Sequence, residues 1–271
     1  LGTIQISQQS VVDASGERGG TIVIRGGRLV VDDSIVSANT TGTVIGSSGG
    51  QAGTGIVIQM SQDVLIQNRA VLETNVAEDA LPGVGSGGVR IKADHIDIVG
   101  VPDFEAFPFT GIQSNVAPDS MGGRSGDILL EANSLQVKDL GFIEARTGGA
   151  ADAGNIILRT NETLQIGDIG FVLSGSTGAS GNAANIELTS RHGDILLTNL
   201  SDVTTQTFDS SGNTGSLSVS APEGNIVLDG QSSLFNAARG TGKLGAIDVT
   251  AHNLQILNLS TIGGDNIGPP G

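Results

Sequence analysis

The chain has 271 residues, of which 42 are Gly, with 3% aromatic residues and no Trp, Tyr or Cys. A formal charge of -15 leaves no surplus of Lys and Arg for a phosphate-binding surface, so nucleic acid is not an expected partner. Apolar residues make up 38%, too many for a disordered chain. No apolar run reaches the roughly 18 residues that a membrane-spanning helix needs, and without Cys there is neither a disulfide framework nor a thiolate metal site.

In chain order, Ile4 and Ile6 alternate and are followed by Val12 and Ala14. From there a three-beat phrase recurs. The first beat is an alternating pair: Ile22 and Ile24, Ile56 and Ile58, Val89 and Ile91, Ile128 and Leu130, Ile156 and Leu158, Ile186 and Leu188, Leu217 and Val219, Ile247 and Val249. The second follows within a few residues, from Leu29 and Val31 through Val64 and Ile66, Ile96 and Ile98, Leu135 and Val137, Leu164 and Ile166, to Leu254 and Ile256. The third places an apolar residue six positions on, at Leu72, Ile143, Val172, Val203, Leu234 and Ile262, with a small residue two further along, such as Thr74, Ala145, Ser174 or Thr205. Coils therefore start near 22, 56, 89, 128, 156, 186, 217 and 247. The opening Leu1-Gly2-Thr3-Ile4 lies inside a repeat and forms no signal peptide, so the chain reads as a fragment of a longer protein, with one β-helical domain over 1–271.

Period-two alternation marks strands with one buried face. Three strands in each unit of about 30 residues leave no length for helices. One unit cannot bury its own apolar face, whereas stacked units do so by parallel pairing of like strands. The pattern predicts an all-β, right-handed parallel β-helix of about eight to nine three-strand coils, with variable Gly-rich loops at one corner and the hand inferred from general strand chirality. At about 4.8 Å per coil the rod is about 40 Å long.

Two positions after the second beat stand Asp33, Asn68, Asp139, Asp168, Asn199 and Asn258. Asn and Asp tolerate the left-handed backbone conformation, which suits a sharp corner, and stacked carboxamides can bond from coil to coil. A column of carboxylates offers calcium binding as the alternative; no other cofactor is expected.

The stretch 126–137, beginning Gly126-Asp127-Ile128-Leu129-Leu130 and ending Leu135-Gln136-Val137, is followed by Ile143-Glu144-Ala145-Arg146-Thr147-Gly148-Gly149 and Ala153-Gly154-Asn155-Ile156. It resembles the repeats of filamentous-haemagglutinin-like exoproteins, bacterial two-partner-secretion passengers. The resemblance implies a right-handed β-helix exported unfolded through an outer-membrane secretion pore and serving as an adhesin or structural fibre. The family's amino-terminal secretion domain is not in this sequence.

A β-helical lyase or glycosidase needs acids and bases clustered over adjacent coils. The closest pair is Glu73 and Glu144, equivalent third-beat positions two coils and roughly 10 Å apart, with Gln113 between them; a solvated face is the reading preferred. His95, His192 and His252 fall on separate coils, too far apart to share a metal. Sequons at Asn39, Asn161, Asn199 and Asn258 carry little weight in a chain this rich in Asn, Ser and Thr.

Two features are candidate partner contacts. An insertion over 99–109 carries Phe104, Phe107 and Phe109, either packed on the rod's flank or exposed as an apolar contact. The outward positions Val23, Val57, Leu129 and Ile157 are apolar, either covered by the loops at 39–54, 75–87, 115–127 and 206–215 or seating a neighbouring subunit. The residues thus predict a non-catalytic β-helical shaft of a secreted or cell-surface fibrous protein that supports adhesion, biofilm cohesion or filament assembly. Host-cell, glycan or self-association partners are all open. A polysaccharide-active β-helix enzyme is the alternative, and a phage or toxin shaft a third.

Overall fold

The structure, a computed structural model, describes residues 1–43, 54–105, 108–178 and 180–268. Among these residues there is no helix, and therefore none long and apolar enough to cross a membrane. All named strand pairs are parallel, and each strand pairs with its counterpart in the next coil, which defines a parallel β-helix.

The first face is built by Thr21–Gly26, Gly55–Met60, Gly88–Lys92, Ile128–Ala132, Ile156–Thr160 and Ile186–Ser190, and continues in Leu217–Asp229 and Ile247–Ile256. The second face runs from Thr3–Ile6 and Arg28–Asp32 to Ile195–Thr198. The two long strands Leu217–Asp229 and Ile247–Ile256 turn the corner without a break, so the first and second faces join into one 15-stranded sheet. The third face is a separate 9-stranded sheet.

Register explains the core. Ile22, Ile56, Val89, Ile128, Ile156, Ile186 and Leu217 stack in one inward column, and Leu29, Val64, Ile96, Leu135, Leu164, Ile195 and Ile226 in another. Most of these side chains are sealed from solvent; burying an Ile or Leu contributes about 1.5–3 kcal/mol. The third-face column runs Val12, Val36, Leu72, Ile112, Ile143, Val172, Val203, Leu234 and Ile262.

The corner between the second and third faces sets that spacing. At most coils two successive residues take positive φ: Gln8 and Gln9, Asn68 and Arg69, Asp139 and Leu140, Asp168 and Ile169, Asn199 and Leu200, Asn258 and Leu259. At Asp33 only one does so (φ 45), and Val36 accordingly follows Val31 by five positions where Leu72 follows Ile66 by six. At the fourth coil the insertion replaces the corner and delays the inward residue to Ile112.

The third face changes along the rod. Its strands are three residues long in Val11–Asp13, Ile35–Ser37, Val71–Glu73 and Gly111–Gln113, then six in Phe142–Thr147 and nine in Asp202–Ser210. The loop expected over 206–215 is corrected: Gln206 through Ser210 are strand, because Thr205 to Phe208 alternate as β-formers and pair with Ser174–Thr177 on one side and Asn236–Arg239 on the other.

The described Gly-rich loops stack on one another where the third face turns into the first, with single parallel bridges linking Gly16, Thr40, Val76, Val116 and Thr147. Val76, Ala80 and Val116 form a small cluster of their own beneath them. The small inward residues of the third beat serve this corner. Thr205 donates its hydroxyl to the Gly215 carbonyl at 2.9 Å, and Ser174 accepts from the Ala184 N–H at 2.7 Å, so loop backbone passing beside the core is satisfied.

Candidate functional site

Grooves on the surface begin with outward-facing residues. On the third face one outward column runs Val11, Ile35, Val71, Gly111, Phe142 and Phe171. The next runs Asp13, Ser37, Glu73, Gln113, Glu144 and Leu173. Gly111 leaves the space that Phe142 uses: a Cβ there would lie 2.5 Å from Cδ1 of the ring. On its other side Phe142 stacks on Phe171, with centroids 5.7 Å apart and planes inclined by 16°.

The insertion returns to the third face through Pro108 and Phe109. Together with Ile35, Val71, Phe142, Phe171 and Leu173 they enclose a groove of about 580 Å³, whose polar members are Glu73, Gln113, Glu144 and Arg146. Pro108 and Ile35 also border a smaller pocket of about 230 Å³ beside Val11. Phe109 is half-buried at the groove, whereas Phe104 is 69% exposed. Phe107 lies outside the described residues.

The carboxylates are held by amides. Glu73 accepts from Asn39 on Oε1 (2.8 Å) and from Asn75 (3.1 Å) and Gln113 (2.8 Å) on Oε2. Glu144 accepts from Asn115 on Oε1 (3.0 Å) and faces Arg146 at 3.5 Å. A general acid needs an oxygen free to carry and deliver a proton. Both oxygens of Glu73 already accept amide hydrogen bonds, whereas Glu144 accepts one and keeps an oxygen towards Arg146.

A second groove of about 510 Å³ lies along the corner between the first and second faces, lined by Lys92, Asp94, Glu131, Asn133, Arg159 and Arg191 among others. Within it Asn161 bonds Asn133 at 2.7 Å and Asn133 bonds Asp94 at 2.5 Å, while Arg159 pairs with Glu187, outside the lining, at 3.0 Å. The third-face groove differs in placing aromatic carbon beside polar groups that line an open space.

The other expected residues fall as follows. Val23 is 47% exposed, Val57, Leu129 and Ile157 are half-buried, and Arg90 stands in register between Val57 and Leu129, so the apolar outward set is not continuous. Asp33, Asn68, Asp139, Asp168, Asn199 and Asn258 all have φ between 45° and 55° at the corner. Asn199 donates to Asp168 at 2.9 Å within that column, while Asn68 donates to Asp32 at 2.9 Å and Asn258 to Asp229 at 2.6 Å just beside it. Asp33 faces Arg69 at 3.0 Å. Among the described residues no three His, Asp or Glu side chains converge on a metal-sized site.

The carboxamide nitrogens of all four sequon residues, Asn39, Asn161, Asn199 and Asn258, already donate to a neighbouring coil. His95 bonds Ser134 at 2.7 Å and His192 bonds Glu223 at 2.8 Å, on separate coils.

The fold and its surface define a β-solenoid repeat protein. No protein-family model, curated protein or solved structure matches the chain.

Proposed function

We propose that the chain is the shaft of a secreted or cell-surface fibrous protein, supporting adhesion, cohesion or filament assembly, and that it is not an enzyme. The observation that carries this reading is the parallel stacking itself: coil pairs with coil on three faces, with register shifts at Phe208/Ser210 and Ala221/Asn225, and the surface carboxylates and carboxamides are mostly spent on ladders between coils. Such a surface supplies length, stiffness and repeated contact points. The resemblance to filamentous-haemagglutinin-like repeats supports the same reading, and with it export through an outer-membrane pore and an extracellular location.

The test joins imaging with chemistry. Electron micrographs of the purified chain should show rods about 40 Å or longer, alone or bundled, and polysaccharides incubated with it should gain no new chain ends. Steady release of reducing ends or unsaturated sugars would overturn the reading in favour of a lyase or glycosidase.

A further inference from the structure

The geometry points to the third-face groove as a binding site for a neutral saccharide chain lying along the solenoid axis, an inference that rests on the adhesive role proposed above. Its floor is flat carbon. Phe171 is half-buried and stacked on Phe142, and Leu173 continues the surface on the neighbouring column. A pyranose ring presents a face of C–H bonds, which pack on the electron-rich face of an aromatic ring.

Beside that floor runs a row of polar groups, Glu73, Gln113 and Glu144, contributed by successive third-face strands. They recur at about 4.8 Å, close to the length of one sugar unit in an extended chain. A carboxylate has about four acceptor positions. Glu144 takes one carboxamide proton, from Asn115, and so keeps capacity for hydroxyl donors, while Arg146 beside it is a donor for ring or hydroxyl oxygens. The volume of about 580 Å³ lies within the usual span of ligand sites.

Charge and desolvation choose among occupants. Two carboxylates against one guanidinium leave the lining net negative, which repels an anionic chain. An apolar peptide or the flank of a second copy would cover Phe171 and Leu173 but strip water from Glu144, which has one amide donor, and from Arg146 without replacing those hydrogen bonds. A neutral chain of hydroxyls covers the carbon and donates to Glu144.

The chain has no Trp, so Phe171→Trp places a single fluorescent reporter on the floor. The full chain carrying it is titrated with cellohexaose, mannohexaose and chitohexaose, and with hexagalacturonate as the anionic counterpart. At least one neutral oligosaccharide should give a saturable emission change, with hexagalacturonate weaker by about tenfold or more. Calorimetry on the unaltered chain should rank the sugars the same way. Phe171→Ala should weaken binding by about tenfold and Glu144→Gln by about fivefold, a loss of about 1 kcal/mol or more, with melting of Glu144→Gln unchanged.

The inference is overturned if no neutral oligosaccharide saturates, if hexagalacturonate binds as well, or if both substitutions leave affinity unchanged. An emission change driven by protein concentration alone would assign the groove to a second copy and would also overturn it. Each of these failures, with rods intact in micrographs, leaves the shaft reading standing; cleavage of the bound sugar removes the shaft reading itself.

Discussion

Asn182 and Asn213 are joined twice: Oδ1 of Asn182 accepts from the backbone N–H of Asn213 at 2.7 Å and from its Nδ2 at 3.2 Å. The ladder continues both ways, from Asn182 to Asp152 at 2.8 Å and from the Lys243 N–H to Asn213 at 2.9 Å. It clamps the Gly-rich loops of four coils. Asn182→Ala removes an acceptor for one backbone N–H and a donor to the next carboxylate, and should cost about 1–2 kcal/mol. Because Asn213 shares the same bonds, the double replacement by Ala should cost less than the sum of the singles. The midpoint of urea unfolding measures both.

Leu200 follows Asn199 in the corner with φ 63 and is 52% exposed. A left-handed conformation costs an ordinary L-residue about 1–2 kcal/mol, and Asn less, because its short side chain bonds locally. Little packing is lost on replacement. Leu200→Asn is therefore expected to raise stability by about 0.5–1 kcal/mol, seen as a higher melting temperature. A lower one would mean that the leucine side chain contributes more than the strain removes.

These two sites mark the boundary of what was legible in the sequence. The corner column was legible because Asn and Asp recur at a fixed distance from an inward pair. So were the inward pairs of the first and second faces, since burial demands the same residue type at the same place in every coil. Val36 was not, because a one-residue corner shifts it out of the six-residue spacing; past the insertion, which moves Ile112 out of that spacing as well, the register was caught only at its neighbour Gln113. The Asp152–Asn182–Asn213 ladder lies in loops of varying length, so no period exposes it. Of the groove, Glu73, Gln113, Glu144 and Phe109 were singled out from the residues, but Phe142 and Phe171 were not. Their signal was present: each directly precedes a third-beat residue, Ile143 and Val172, and so faces outward at the same height in adjacent coils. The Asp33 to Asn258 column told of backbone conformation, and the proposed saccharide contact depends on side chains that meet only once the register is known.

Gly215 enters the first face where a methyl group would lie 1.8 Å from the Ala184 carbonyl oxygen, against the backbone of the preceding coil. Backbone cannot swing away as a side-chain tip does, so the coils must part locally. Gly215→Ala should cost about 1–3 kcal/mol. Gly16→Ala, where a Cβ meets nothing within 4 Å, should stay within about 0.5 kcal/mol of the parent. Comparable losses at both sites in guanidinium unfolding would contradict a close approach specific to Gly215.

Asp97 sits outward on the second face between Leu65 and Gln136 in adjacent coils. Burial lifts its carboxyl above the ordinary 3.8, against opposing pulls from His95, Lys138 and Arg28 and with a further push from Asp63. A carboxyl raised in the folded state binds its proton more tightly there than in the unfolded chain. Its ionised form therefore penalises folding at neutral pH, and the penalty fades as pH falls through the raised folded value towards 3.8. Asp97→Asn should stabilise the protein at pH 7, and that advantage should shrink and vanish below about pH 4. Asp13 gives the opposite sign: hydrogen bonds from Ser15 and Ser37 hold its carboxyl below 3.8, so its contribution is present above that value and is lost as pH falls through the lower folded value. Melting curves from pH 7 down to about pH 3 for the parent, Asp97→Asn and Asp13→Asn separate the two: the first variant should converge on the parent in acid from above, and the second from below.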